Sequence, residues 1–513
     1  MGLGRTLGVA LVGLTGHVVE VEAHLAASVP GFALVGLPDA SLAEARDRVR
    51  AAVHSSGLAW PQRRITVNLS PAALPKTGAG FDLAIAVATL AGAGLCPAGA
   101  VASTVHLGEL GLDGRLRPVR GILPAVAAAV AAGHPRVVVP WGNATEATLV
   151  PGAEVVAAGS LAEVAHGYGA QVEVPLTEPA AVLQPDVALG APGGAGADLA
   201  DVLGQAPARW ALEVAAAGGH HLLMVGPPGA GKTMLAARLP GLLPDLDEQA
   251  AIEVTAIHSV AGTFQPAGGL LRRPPFEDPH HTATPAAVIG GGSGLPRPGA
   301  ASRAHRGVLF MDEAPEFSPR VLQTLRQPLE HGELVIHRSG GMARYPARFQ
   351  LVLAANPCPC GRSVGKGLDC SCTSLARRRY FSRLSGPLLD RVDMQLEVLP
   401  VTRAERTASR APEGTAVVAA RVAAARGAAG ERLRGTSWKT NAEVPGTWLR
   451  AHGGPAVHRD LDRALDTGLL SLRGVDRVLR VAWTLADLAG LSVPGPEQVG
   501  QALLLRTRGQ VGS

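Results

Sequence analysis

The chain has 513 residues, 47% of them hydrophobic, and its 47 Lys and Arg against 42 Asp and Glu leave a net charge of +5. That length suits about three domains with large cores, and so small an excess charge excludes a protein that coats a polyanion over its whole surface. Aromatic residues at 3% exclude nucleic-acid binding mainly by stacking bases on rings, and no apolar run reaches the ~18–20 residues that cross a bilayer, so the expectation is a cytoplasmic protein without membrane contact.

In chain order, Arg5 precedes a largely apolar stretch over 6–14 that faintly resembles a signal peptide. It has no clear cleavage site and runs into alternating residues over 17–23, so it reads as a folded strand. Strands predicted at 64–68 and 137–139 alternate with helices predicted at 40–55 and 123–132. This first unit covers 1–175. Residues 176–197 are rich in Pro, Gly and Ala without periodicity and read as a linker. The second unit, 198–400, alternates strands and helices, which predicts a mostly parallel sheet flanked by helices. The third, 401–513, is helical, with helices predicted at 417–426, 460–467, 474–489 and 496–505.

One loop carries most of the chemistry. Gly226, Pro227, Pro228, Gly229, Ala230, Gly231, Lys232 and Thr233 fit G-x-x-x-x-G-K-[ST] at every fixed position. An apolar strand, 222–225, precedes them, and a helix predicted from Met234 follows. Glycines let backbone N–H groups close around phosphate oxygens, and the helix start adds partial positive charge. Lys232 reaches the β- and γ-phosphates, and Thr233 ligates Mg²⁺. The bland alternative is a glycine-rich turn with a chance lysine.

Val308, Leu309, Phe310 and Met311 form a second apolar strand ending in Asp312 and Glu313. Asp312 suits Mg²⁺, and Glu313 suits polarising the water that attacks the γ-phosphate of ATP. A third strand, 349–355, ends at Asn356, whose amide suits orienting that water; an Asn before Pro357 also suits any turn. Arg391 lies among acids just before a further strand, as an ordinary ion pair or as an arginine supplied to a neighbouring subunit's site. Arg473 opens a C-terminal helix and is placed to reach the γ-phosphate from above, with Arg477 and Arg480 on the same face as alternatives.

These strings, with VLGQ from Val202, PHHT from Pro279, GGGSGLPRPG from Gly290, LRQPLEHG from Leu325 and NPCPCG from Asn356, closely resemble the YifB/ComM family of magnesium-chelatase-like AAA+ ATPases along nearly the whole chain. The resemblance implies an α/β protein: a Lon-protease-like (S5 domain 2-like) N-terminal α+β domain, a central P-loop AAA+ parallel-sheet domain and a C-terminal helical lid. It also implies homohexameric rings that use ATP and Mg²⁺ to remodel DNA by branch migration. Glu277 and Asp278 depart from the family pattern ahead of Pro279, as does Trp210, which puts local DNA contacts in question. Two other readings stay open: the motor of a metal chelatase, and a nucleotide-gated scaffold for a protein partner.

In the first unit, the segments from Pro75 and Val119 resemble those that carry the catalytic serine and lysine of Lon proteases. Gly80 and Leu123 stand at the two positions, so no protease activity is expected. Cys358, Cys360, Cys370 and Cys372 form a C-x-C…C-x-C set that suits tetrahedral structural Zn²⁺, with four reduced cysteines as the alternative; Cys96 reads as core. For DNA, a hairpin predicted over 334–338 and 345–349 carries Arg338, Arg344 and Arg348, and in related ring ATPases a hairpin at this place faces the pore. Arg272 and Arg273, and Arg377 to Arg379, are further candidates for phosphate contact, or simply solvated basic runs.

Overall fold

The computed structural model describes residues 2–36, 44–76, 78–175, 197–292, 296–338, 341–363, 369–384, 386–402, 412–453, 455–466, 468 and 470–507. The segment read as a linker therefore lies, except for Ala197, outside the described residues.

The N-terminal unit is built on one mixed sheet. Its strands are β1 (Gly2–Val12), β2 (Thr15–Ala26), β3 (Gly31–Val35), β4 (Arg64–Ser70), β5 (Val105–His106), β6 (Arg136–Pro140) and β7 (Glu154–Ala158), in the order β3-β4-β2-β1-β5-β6-β7. β1 and β2 pair antiparallel from Gly2↔Leu25 to Val12↔Thr15. On β2, Val19, Val21, Ala23 and Leu25 are fully buried, while the residues between them are less so, as the two-residue period of a strand requires. The apolar start of the chain is thus an inner strand of this sheet. Helices α1 (Ala45–Ser55), α2 (Asp82–Gly92) and α3 (Ile122–Ala131) complete its core with the sheet. Gly80 sits in the single 3₁₀ turn Ala79–Phe81, and Leu123 is fully buried in α3, so neither position offers a nucleophile or a base.

In the second unit α4 (Ala206–Gly218) leads into β8 (Leu222–Val225), followed by the short helix α5 (Lys232–Ala236) and by α6 (Glu248–Ala261). The remaining strands of the sheet are β9 (Phe276–Glu277), β10 (Val308–Met311), β11 (Gln350–Ala355) and β12 (Met394–Glu397). All pairs are parallel, in the order β9-β10-β11-β8-β12. β8, β10 and β11 are buried along their whole length, because helices cover both faces; this is why they read as apolar runs, broken only by Gln350 at the start of β11, whose amide donates to the Ala215 and His220 carbonyls. The helix expected from Met234 starts at Lys232, stops at Ala236 and resumes as a separate turn, Leu239–Leu242, with Pro240 near its start.

The hairpin differs from expectation. Its strands are Glu333–Arg338 and Gly341–Pro346, paired from Glu333↔Pro346 to Arg338↔Gly341. Pro346 has no N–H with which to extend the ladder. Arg348 therefore lies off the hairpin; its N–H donates to His305 Nδ1 at 2.9 Å and its carbonyl accepts from Arg306 at 2.6 Å. Ile336, Ala343 and Tyr345 are buried on one hairpin face against Leu14 of the β1–β2 turn and Val260 of α6. α6 also joins the core beneath α3, and Ser259 donates to the buried carboxylate of Glu146. The N-terminal unit and the ATPase-like core thus share buried surface.

The C-terminal helices α7 (Thr415–Arg432), α8 (Pro455–Asp466), α9 (Leu472–Leu488) and α10 (Pro496–Thr507) share the core that contains α4 and β8. α7 runs past the predicted end because its alanines carry it through Gly427 and Gly430. Trp483 is buried beneath the Arg432 guanidinium, 4.5 Å from the ring centroid, and Arg432 is paired with Asp487. No helix among the described residues is long and apolar enough to cross a membrane.

Candidate active site: a phosphate loop, two acids and an amide on one sheet edge

Strand register assembles this site. Val225 pairs with Ala355, and the Gly226 N–H donates to the Ala355 carbonyl at 3.1 Å, so the loop starts beside Asn356. Met311 pairs with Leu353, which brings Asp312 and Glu313 out at the same edge. At Gly226 a Cβ would stand 2.0 Å from the Val398 carbonyl oxygen, which excludes any larger residue there; Gly231 takes φ 92°, a left-handed backbone.

The Lys232 ammonium donates to the carbonyls of Gly226 and Pro227 at 2.7 and 3.0 Å and to Asn356 Oδ1 at 3.2 Å. Burial lowers its pKa, and the carboxylates of Asp312 and Glu313 oppose that shift. Thr233 Oγ1 donates to Asp312 Oδ2 at 2.7 Å, so the two oxygens expected to serve Mg²⁺ are adjacent. An exposed hydroxyl beside a half-buried carboxylate at a phosphate loop suits a hard, partly hydrated cation. Glu313 takes φ 50° and its N–H donates to Asp312 Oδ1 at 2.9 Å. A non-glycine residue in that conformation is uncommon and costs on the order of 1–3 kcal/mol. Here the turn aims two consecutive acids at one place.

Sequence reasoning missed His281. Its Nδ1 lies 3.1 Å from Glu313 Oε2. The Pro-His-His-Thr string was the available signal, but nothing in the linear order ties it to residue 313.

Arg391 and Arg473 stand elsewhere. β12 begins three residues after Arg391 and runs parallel to β8, with Met394 opposite Leu222 and Glu397 opposite Val225. Arg391 is therefore at the end of the sheet away from the loop, across roughly 13 Å of a four-residue strand. It pairs with Glu330 and donates to the Pro387 carbonyl. Arg473 lies 3.8 Å from Asp390 and is 77% exposed. It thus shares the Arg391 edge rather than reaching over its own chain's nucleotide, which corrects that expectation. The packing of α10 on β12, with Arg477 of α9 paired to Asp393 just before that strand, decides this, and the sequence carries no direct sign of it. Arg477 pairs with buried Asp393 at 3.0 Å, and Arg480 donates to the Val444 carbonyl at 2.8 Å. Burial alone would raise the Asp393 carboxyl, but Arg477 and His220 bring it well below the usual range.

Glu277 pairs with Arg303 at 2.7 Å, a partly buried ion pair at the sheet edge. Among the basic candidates, Arg344 pairs with Glu333 at 3.2 Å and Arg273 with Asp245 at 3.3 Å. Arg377 to Arg379 lie exposed on the helix Ser374–Ser382. The side chain of Arg338 lies outside the described residues.

The four clustered cysteines come together. All four sulfurs lie within 4.8 Å of one another, with Cys358 3.3 Å from Cys360 and 3.6 Å from Cys370, and Cys360 3.8 Å from Cys370. Four sulfurs each about 2.3 Å from a central ion would be mutually about 3.8 Å apart. The Arg362 N–H and the neighbouring thiols bring the Cys360 thiol down to about 6, which favours the thiolate a metal needs. The cluster abuts the nucleotide loop: a Cβ on Gly361 would stand 2.7 Å from Pro228 Cδ. The donor set can hold a metal ion. Cys96 is buried core, as expected.

Comparison with known proteins agrees with this geometry. Family models described as "Magnesium chelatase, subunit ChlI", "Subunit ChlI of Mg-chelatase" and "Magnesium chelatase, subunit ChlI C-terminal" match residues 198–406, 21–143 and 412–506. An uncharacterized protein of Mycobacterium tuberculosis is 52% identical over 511 residues, 99% of each chain. Competence protein ComM of Haemophilus influenzae is 40% identical over 492 residues, 96% of this chain and 94% of its own. The magnesium-chelatase 38 kDa subunit of Rhodobacter capsulatus is 29% identical over only 152 residues, 26% of this chain and 43% of its own. The chain therefore belongs to the YifB/ComM family of magnesium-chelatase-like AAA+ ATPases.

Proposed function

We propose that this protein is a ring-forming motor, a homohexamer by resemblance, that spends ATP to move DNA strands. The observation that supports it best is the division of the catalytic set between two ends of one sheet. Lys232, Thr233, Asp312, Glu313 and Asn356 converge at one end, and Arg391 stands at the other. With Arg391 at the far end of the sheet from its own loop, a closed ring would bring it to the neighbour's nucleotide.

In the mechanism, loop N–H groups and the Lys232 ammonium take the β- and γ-phosphates. Lys232 exchanges its carbonyl and amide acceptors for phosphate oxygens. Thr233 and Asp312 would hold Mg²⁺, which neutralises charge on the phosphates when bound. Asn356 orients the attacking water, and Glu313 accepts its proton. Arg391 of the adjoining subunit stabilises charge on the transferring phosphoryl group.

Two observations bear on the substrate. Similarity to the competence protein ComM runs the length of the chain, whereas similarity to the chelatase 38 kDa subunit covers a quarter of it. The exposed arginines 377–379, with Arg344 on the hairpin, suit sequence-independent phosphate contact. ATP turnover is expected to rise several-fold with single-stranded or branched DNA, and the rise to fade between 50 and 200 mM salt. Indifference to every DNA tested, with stimulation by a protein partner or a tetrapyrrole, would sink this reading and favour the scaffold or the chelatase motor. The N-terminal unit, Lon-like by resemblance but with Gly80 and Leu123 at the dyad positions, serves as a brace for the core.

The cysteine cluster is proposed as a closed structural Zn²⁺ site. Elemental analysis of the purified chain should give one zinc per subunit. Cys360→Ser with Cys370→Ser should lose it and lower the melting temperature by about 4 °C or more, the equivalent of at least ~1 kcal/mol in a domain of this size. An unchanged metal content would refute the site.

A further inference from the structure

The turn between β1 and β2 lies against the candidate DNA hairpin, and its residues suit that contact. Val12 pairs with Thr15, which leaves Gly13 and Leu14 as a two-residue turn. Gly13 takes φ 66°, and a Cβ on it would stand 2.5 Å from the Arg344 carbonyl oxygen, so two backbones meet there with no room for a side chain. Leu14 beside it packs on Ile336, Ala343 and Tyr345, the buried face of the hairpin, together with Val260 of α6. The Tyr345 hydroxyl donates to the Pro296 carbonyl at 2.6 Å, which fixes that face from the core. The chain leaving the hairpin is pinned separately. Arg348 is bonded to His305 and Arg306, and both of these to Glu253 of α6. An open cavity of about 770 Å³, bordered by Leu14, Pro124, Ala128, Ile252 and Arg344, lies alongside and gives the hairpin room to pivot.

A shift of the hairpin has a short route to the nucleotide. β11 begins four residues after Pro346 and ends beside Asn356, whose amide oxygen accepts from Lys232. We propose that Leu14 is a positioning residue that seats the hairpin in the posture that receives DNA. The N-terminal unit, without touching substrate, thereby sets how strongly DNA drives ATP turnover. The seat itself stands apart from the DNA reading above, whereas its effect on turnover rests on that reading.

The test measures amide hydrogen exchange and ATP turnover on the full chain, comparing the parent with Leu14→Asp and Leu14→Met. A carboxylate is costly in an apolar contact, so Leu14→Asp should speed exchange in the two hairpin strands by about ten-fold or more, with β4, elsewhere in the N-terminal sheet, unchanged. Leu14→Met nearly conserves volume and should exchange like the parent. Without DNA, turnover of all three should agree within about two-fold, because no group at the nucleotide is altered. With single-stranded DNA, Leu14→Asp should keep less than about half of the parent's rise, and Leu14→Met nearly all of it. If β4 also loosens in Leu14→Asp, Leu14→Ala, which adds no charge, takes its place and is held to the same outcomes. Unchanged exchange in the hairpin would overturn the seat. Faster exchange there with a full DNA response would overturn the effect on turnover and confine Leu14 to a structural role. A parent chain indifferent to DNA would overturn the DNA reading and the effect on turnover together, while exchange still decides the seat.

Discussion

Replacing Glu313 with Gln should leave ATP bound and unhydrolysed. Glutamine keeps the volume of the side chain and the backbone, whose N–H bond to Asp312 is retained, so folding is untouched. What disappears is the carboxylate next to Asp312 that is placed to take a proton from water; Glu316, on the same turn, is paired with Arg383. General bases are worth roughly 10²–10⁴ in rate, so kcat should fall by at least two orders of magnitude. Lys232, Thr233 and Asp312 remain in place, and affinity for ATP should hold or rise. Rapid filtration after incubation with radiolabelled ATP should recover intact triphosphate on the variant and diphosphate on the parent chain. Turnover within ten-fold of the parent would remove Glu313 from the role. Asp312→Asn makes the contrast. Asp312 accepts from Thr233 at 2.7 Å, so its loss should weaken MgATP binding itself.

Much of this site was legible in the chain because its strands are buried on both faces. β8, β10 and, after Gln350, β11 appear as short apolar runs, and each ends directly in the residue that matters: Gly226, Asp312 and Asn356. The local pattern therefore carries both the strand and the end that matters. The cysteine pairs were legible for a similar reason, since ligand type and spacing act over a few residues. What stayed hidden depends on contacts between segments distant in sequence. The partner of Glu313 lies 32 residues earlier, beyond an edge strand of only two residues, Phe276–Glu277. The side on which Arg473 stands is set by the lid helices packing on β12, where Arg477 meets buried Asp393. The hairpin was found, but its register was not. Alternation alone does not reveal that pairing stops at Pro346, nor that the apolar face of Ile336 and Tyr345 is covered by the turn at Leu14.

Arg391→Ala is expected to bind nucleotide normally and to lose hydrolysis about 10³-fold or more, the scale of an arginine supplied to a phosphoryl transfer. Binding is spared because Arg391 is a strand's length from its own loop. Within its subunit the guanidinium is held by Glu330, and burial together with the charges of Arg473, Arg477 and Arg326 lowers its pKa. Several cations gathered at one edge of the sheet repel each other, and an arriving polyphosphate would relieve that repulsion. A γ-phosphate bound on the next subunit is such an anion. Mixing separates this role from a structural one. Lys232→Ala chains have a dead loop but an intact Arg391, and Arg391→Ala chains have the reverse. Each alone should be inactive, whereas a mixture should regain activity wherever an intact loop faces an intact arginine. Failure to recover on mixing, in rings shown by mass photometry to contain both chains, would confine Arg391 to its own subunit. Wild-type turnover of Arg391→Ala alone would end the shared-site reading outright.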